Sequence, residues 1–258
     1  EMSIMFFSRM EDFLEKNIEG FFNRKFSSKL QLAEIEKILD RLLIRHKKRV
    51  NRAIFVPDNF VITISPNDYT ELNTIEVLIK LKLFLYKSVI MKDYFMHKKP
   101  VITILKSPEL KLGVCDIKTT FSTETEIQNT ISSDNTGTQG TIVVPPNDRE
   151  LFAKSPKINQ ELKFASLTIA EGPDKDSYME IGDKQIHIGR RDSNEFIITD
   201  INVSRLHAYI TFENGRHILH DANSLNGTSV NDTQISSFCL CPGDKIQIGN
   251  TIIIYDIL

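Results

Sequence analysis

The segment 186–228, IHIGRRDSNEFIITDINVSRLHAYITFENGRHILHDANSLNGT, decides the fold of the C-terminal half. Short apolar or alternating runs at 185–188, 196–198, 206–212 and 217–220 are separated by turn-forming residues: Gly189, Asp192 to Asn194, Asp200 to Asn202, Asn214-Gly215 and Asn223 to Gly227. The same pattern continues outward, at 167–170 on one side and at 245–248 and 251–257 on the other. Many short strands at a spacing of about 8–12 residues predict an all-β sandwich, whose binding residues sit on the loops at one end.

The rest of the chain is of another kind. Residues 1–118 carry 21 Lys and Arg against 15 Asp and Glu, whereas 161–258 carry 8 against 14, so a net charge of −2 conceals one half at +6 and another at −6. Gly20 and Gly113 are the only glycines before residue 119, and seven lie after 160. Between the halves, 11 of the 23 residues from Thr119 to Thr141 are Ser or Thr, and Pro145-Pro146 follows, with no sustained helical or strand period. The expected organisation is an interaction domain over 1–118, a Ser/Thr-rich flexible linker over 119–163 and the sandwich over 164–258.

In the N-terminal part, Phe13, Leu14, Ile18, Phe21 and Phe22 mark one helix face. Ser27 or Ser28 is placed to cap a second helix, whose stripe Leu32, Ile35, Ile38, Leu39, Leu42 and Leu43 ends in the basic run Arg45 to Arg49. Phe60 to Ile64 alternates as a strand, and Ser65-Pro66-Asn67-Asp68 then caps a long helix through about Met91. Two further strands are expected at 100–105 and 111–117. The order α-α-β-α-β-β describes a small α+β layer.

With 41% hydrophobic and 26% charged residues the chain is of ordinary globular composition. The most apolar stretch, 74–91, contains Lys80, Lys82 and Lys87, so no membrane-spanning helix is expected. No signal-peptide pattern opens the chain, and a cytoplasmic location is expected, with recruitment by partners to the inner face of the membrane. Cys115, Cys239 and Cys241 read as packing thiols, because Cys-Leu-Cys lacks the spacer of a zinc site. No P-loop, Gly-x-Ser-x-Gly elbow, kinase motif set or HExxH is present, so neither an enzyme nor a metal or other cofactor is expected. His217 and His220, three apart on a strand, face opposite sides.

Gly189-Arg190, then Ser204-Arg205-Leu206-His207, then Asn226-Gly227-Thr228 closely resemble, in order and spacing, the forkhead-associated (FHA) domain. The resemblance implies a two-sheet sandwich that reads phosphothreonine without catalysis. It implies that Arg190 grips the phosphate, that Ser204 offers a hydroxyl and Arg205 a backbone N–H, and that Asn226 holds the peptide backbone. Gly189, His207, Gly227 and Thr228 would be loop scaffold. A phosphate monoester with three acceptor oxygens suits such a fork of donors. Leu225 departs from the pattern, since relatives often place there a Thr whose hydroxyl also reaches the phosphate; Ser224 is the neighbouring alternative.

The N-terminal part is similar to the N-terminal domain of FhaA-type proteins of Gram-positive bacteria, through Met10-Glu11-x-Phe13-Leu14-Glu15, Ile18-Glu19-Gly20-Phe21-Phe22, Val56-Pro57-Asp58-x-Phe60 and Ser65-Pro66-x-Asp68-Tyr69. This resemblance implies an adaptor acting downstream of Ser/Thr protein kinases, at cell-envelope synthesis or division, through phosphothreonine-containing partners. Thr125 and Thr138 are candidate phosphorylation sites, and a phosphorylated linker could bind its own FHA domain. The alternative reading is a scaffold with a degenerate site. Its basic residues Arg41, Arg45, Lys47, Lys48, Arg49 and Arg52 would then bind anionic lipid, nucleic acid or an acidic protein. Nucleic acid is the weakest of these, because the Gly-x-x-Gly clamp of some RNA-binding folds is absent from this half.

Overall fold

A computed structural model describes residues 29–122 and 161–258. The expected helix over 10–22 and the candidate sites Thr125 and Thr138 lie outside the described residues, as do Ser27 and Ser28; the helix they are expected to cap has its N-cap at Gln31 instead, four and three residues further on.

The N-terminal domain is α+β. Helix α1 (Leu32–Arg45) starts at Gln31, which forms a capping box with Glu34, and it buries Ile35, Leu39 and Leu43. It is followed by a hairpin of β1 (Lys48–Val50) and β2 (Ala53–Phe55), then by β3 (Asn59–Ile64). Helices α2 (Pro66–Leu72) and α3 (Ile75–Met91) come next, then β4 (Tyr94–Phe95), β5 (Val101–Lys106) and β6 (Cys115–Thr120). Strand β3 lies between a parallel β5 and an antiparallel β6, and β2 lies between β1 and β4 in a second small sheet.

Two details of the expected α+β layer are corrected here. The described order is α-β-β-β-α-α-β-β-β, because β1 is exposed, β2 is half-buried throughout, and strands of three residues are too short to show alternation. The long helix is two: Ser65 caps the first, and the chain breaks at Asn73 so that the Thr74 side chain accepts from the Val77 N–H and starts the second. Strand β6 ends at Thr120, and just past it the Ser122 N–H and hydroxyl both donate to Asp58. Asp58 and Asp68, both buried, work as loop staples. Asp58 also accepts the Lys98 N–H, and Asp68 accepts the N–H groups of Leu30 and Gly113 and the Ser65 hydroxyl. A buried carboxylate needs such donors, which explains why the motifs around these two residues are rigid turns.

The C-terminal domain is the expected all-β sandwich. One sheet has the order β10 (Phe196–Ile197), β9 (Ile186–Gly189), β11 (Ala208–Glu213), β12 (Arg216–Asp221), β15 (Ser237–Cys239). The other is β14 (Thr233–Ile235), β13 (Thr228–Val230), β16 (Lys245–Ile248), β17 (Thr251–Ile257), β7 (Lys163–Glu171), β8 (Tyr178–Gly182). The inward residues Leu167, Ile169, Ile188, Ile210, Leu219, Ile246, Ile248 and Ile253 form the core between the sheets.

The two domains touch. Tyr86 and Ile90 of α3 are buried in the sandwich core, while Leu78, Leu81, Leu85 and Val89 of the same helix belong to the core of the N-terminal domain. Contact is made at the end of the sandwich that holds the β8–β9 and β11–β12 turns.

Candidate functional site

At the other end of the sandwich, three loops converge. The first leaves β9 at Gly189. Its backbone runs beside the loop that precedes β11, with the Arg190 N–H donating to the Ser204 carbonyl (3.0 Å) and the Arg191 N–H to the Arg205 carbonyl (3.1 Å). A Cβ on Gly189 would stand 2.6 Å from the Arg205 carbonyl oxygen, so the position admits only glycine at this approach of two backbones.

His207 fastens the second loop to the third. Its Nδ1 accepts the Ser204 N–H (3.0 Å) and its Nε2 bonds the Gly227 carbonyl (3.1 Å). A carbonyl only accepts, so Nε2 carries the proton and the ring is neutral. Burial lowers its pKa, against the pull of the Gly227 carbonyl and of Asp221 and Asp200. Two further bonds cross the same gap: the Leu225 N–H donates to Ser204 Oγ (3.1 Å) and Asn226 Nδ2 to the Asn202 carbonyl (2.8 Å). Ser204 Oγ is therefore an acceptor within the protein, and its own proton remains to be donated outward.

The third loop is shaped by Asp221, which accepts the Ser224 N–H and hydroxyl and the Thr228 hydroxyl. Burial alone would raise its pKa, but these bonds hold it below the ordinary carboxylate range. The Ser224 proton is thus committed to Asp221, and Ser224 does not stand in for the hydroxyl missing at Leu225. Gly227 has φ +77°, which permits the turn. Asp200 ties the second loop down, accepting the Asn202 and Asn250 N–H groups, and these outweigh burial to lower its pKa.

The loops enclose an open cleft of about 680 Å³ whose lining includes Arg190, Arg191, Arg205, Ser204, Leu225 and Asn226. The exposed side chains of Arg190 and Arg205 both line it, and Arg190 Nε donates a long bond to the Val203 carbonyl (3.4 Å). Leu225 and Ile201 are almost fully exposed at the rim, 89% and 85%. In a domain with 8 cations against 14 acids, this concentration of guanidinium groups suits a compact anion, with apolar neighbours for the chain that carries it. Arg191, Asn202 and the Asp221 and Asp200 fastenings were not singled out by sequence reasoning. The doubled Arg190-Arg191 and the Asp221-x-x-Ser224 turn were the available signals.

The described residues hold no group of three or more metal-ligating side chains. His217 is buried and His220 stacks on Tyr209 across the sheet. All three cysteines are free, and burial pushes Cys115 up to about 12 and Cys239 up to about 11. No described helix is long and apolar enough to cross a membrane.

Comparison with known proteins agrees with this architecture. The family model of the FHA domain matches residues 186–249, and that of the FhaA N-terminal domain matches residues 7–118. The chain is 35% identical over 85 residues to the glycogen accumulation regulator GarA of Mycolicibacterium smegmatis, covering 33% of this chain and 54% of that one. It is 39% identical over 67 residues to the FHA domain-containing protein FhaA of Mycobacterium tuberculosis, covering 26% and 13%. Among solved structures, the FhaA FHA domain complexed with the intracellular domain of Rv3910 is 31% identical with a TM-score of 0.33, covering 35% of this chain and 98% of that one. The chain spans about half the length of the first curated relatives it matches.

The sandwich with its three-loop cleft is thus an FHA domain. The chain joins a domain of the FhaA N-terminal type to that C-terminal FHA domain, the domain pair of FhaA-type proteins.

Proposed function

We propose that this protein is a phosphothreonine-dependent adaptor in bacterial Ser/Thr kinase signalling, serving cell-envelope synthesis or division, and that it recognises without catalysing. The observation that carries the reading is the convergence of Arg190, Arg205 and the Ser204 hydroxyl on one cleft braced by His207. Arg190 supplies the bidentate fork, Ser204 a hydroxyl proton, Arg205 a backbone N–H, and Asn226 keeps an amide oxygen for the peptide backbone. Leu225 contributes contact without a hydrogen bond from its side chain. The reported complex of the FhaA FHA domain with an intracellular domain supports a protein partner of this kind. The setting is cytoplasmic, with recruitment to the membrane by partners. Phosphorylated Thr125 or Thr138 would compete with such partners from within the chain.

Titration of the full chain against phosphothreonine, phosphoserine and unphosphorylated versions of one degenerate peptide library tests this. Selective micromolar binding to phosphothreonine is expected. Arg190→Ala removes charge-assisted bonds of about 1.5–3 kcal/mol each, so affinity should fall by about a hundredfold or more in a protein that stays folded. Unchanged binding by the folded variant would sink the site assignment.

A second reading has its own observation. Arg45, His46, Lys47 and Lys48 surround a cavity of about 300 Å³ on the N-terminal domain, with Thr119 and Phe121. If phosphate reading is lost through Leu225, this basic end would bind anionic lipid, nucleic acid or an acidic protein. A steep fall of that binding with salt, in the Arg190→Ala chain, would favour it.

A further inference from the structure

We propose that the base of the FHA sandwich, the end remote from the Arg190 cleft, is a second binding surface, and that its occupant is helix α3 of the same chain. The two domains then act as one body.

Helix α3 is apolar on two faces. Leu78, Leu81, Leu85 and Val89 face the N-terminal core, and Tyr86 and Ile90 enter the sandwich core. Such a helix cannot be satisfied by one domain, because its second face would lie in water. At the base, Tyr86 stacks on Phe164 (centroids 4.6 Å) and meets Phe212 edge-on (5.3 Å). Three further contacts fix the register. The Met96 N–H donates to the Asn214 carbonyl (2.8 Å), Lys99 pairs with Asp183 (2.6 Å), and Asp93 pairs with Arg216.

Arg216 gives the surface its specificity. It is wholly buried, lies over the Phe95 ring at 5.3 Å, and donates to the Leu240 carbonyl (3.0 Å) and Cys241 Sγ (3.2 Å). The Asp93 carboxylate and the Phe95 face, both from the N-terminal domain, are what this desolvated cation pairs with across the contact. Between them, Gly215 (φ +78°) lets the β11–β12 turn approach α3: a Cβ there would lie 3.2 Å from Val89. The anchors Tyr86 and Ile90 are i and i+4 on one helix face, and Asp93 follows just past the helix end, where its φ of +54° turns the chain back toward the sandwich. Residues 123–160 join the halves covalently, so docking of α3 from the same chain is intramolecular, which favours it over a second copy at low protein concentration.

The test is a full chain carrying a protease site between Gly137 and Gly140, cut and then chromatographed at about 10 μM with light-scattering detection. The halves of the cut wild type are expected to co-elute as one 29.6 kDa species. Tyr86→Asp lies outside the N-terminal core and should separate them by weakening the contact at least a hundredfold. Lys99→Asp should weaken it roughly threefold, and Lys99→Asp with Asp183→Lys should restore it, which an unfolding artefact would not do. Separate elution of two halves that keep their circular dichroism would overturn the proposal. An uncut chain that runs as a dimer and exchanges halves between tagged copies would overturn the same-chain occupant. Neither readout depends on a phosphopeptide, so the result stands apart from the fate of the phosphothreonine reading.

Discussion

Acidification should destabilise this protein through one buried histidine. His217 lies in the sandwich core against Phe164 and Phe212, with Nε2 on the Gly182 carbonyl (2.8 Å) and Nδ1 on the Tyr255 hydroxyl (2.8 Å). Burial lowers its pKa to about 4, and the Gly182 carbonyl only partly offsets this. In the unfolded chain a histidine titrates near about 6.5. As the pH falls, the unfolded chain takes up this proton first, so stability starts to drop near about pH 6.5 and goes on dropping until about pH 4. A gap of about 2.5 pH units, at about 1.4 kcal/mol each, amounts to about 3.5 kcal/mol in full, of which about 3 kcal/mol is lost by pH 4. Urea unfolding followed by circular dichroism at pH 7, 6, 5 and 4 measures it. His217→Gln is the reference, since it keeps polar atoms at the site and cannot titrate. His207, Asp200 and Asp221, whose folded pKa values are also depressed, are common to both proteins and cancel in the difference. The wild type should lose about 3 kcal/mol more than the variant between pH 7 and pH 4. Parallel pH curves would refute the reasoning.

Other changes give sharper local effects. Gly189→Ala drives a methyl into the Arg205 carbonyl and should cost about 1–3 kcal/mol of stability together with most phosphopeptide affinity, read by thermal unfolding and titration. His207→Ala leaves the Ser204 N–H and the Gly227 carbonyl without their partner, at about 1–3 kcal/mol, and should speed amide exchange at Ser204; unchanged exchange would remove the brace role. Leu225→Thr places a hydroxyl at the cleft rim and should tighten phosphothreonine binding about tenfold at no cost to the fold, because the side chain is solvent-exposed. If affinity stays level in that variant, a hydroxyl at 225 does not reach the phosphate.

The sandwich was legible because its longer strands run over four to nine residues between Gly, Asn and Asp turns, whereas the three-residue strands β13, β14 and β15 left no pattern; the loop residues were legible as a spaced set rather than singly. The supports of that set were harder to see. Asp221 orders the third loop through Ser224 and Thr228, yet an Asp three residues before a Ser is common in any turn. In the N-terminal domain, β1 is exposed at all three positions, so burial leaves no pattern in its sequence. The break at Asn73 hides because apolar residues run on across it. The contact between domains left one trace, the nearly continuous apolar content of 75–91, which reads as a generously buried helix until the second face is given a place to go.

The shared helix also bears on how the FHA half behaves when it is expressed alone. A fragment starting near Phe164 would present Phe164, Phe212 and the Arg216 guanidinium to solvent, an aromatic patch around a charge that has lost its counter-ion. Contiguous apolar surface of this sort drives self-association and poor solubility. Apparent weak dimerisation or precipitation of the truncated domain would therefore report the missing helix rather than a native oligomer.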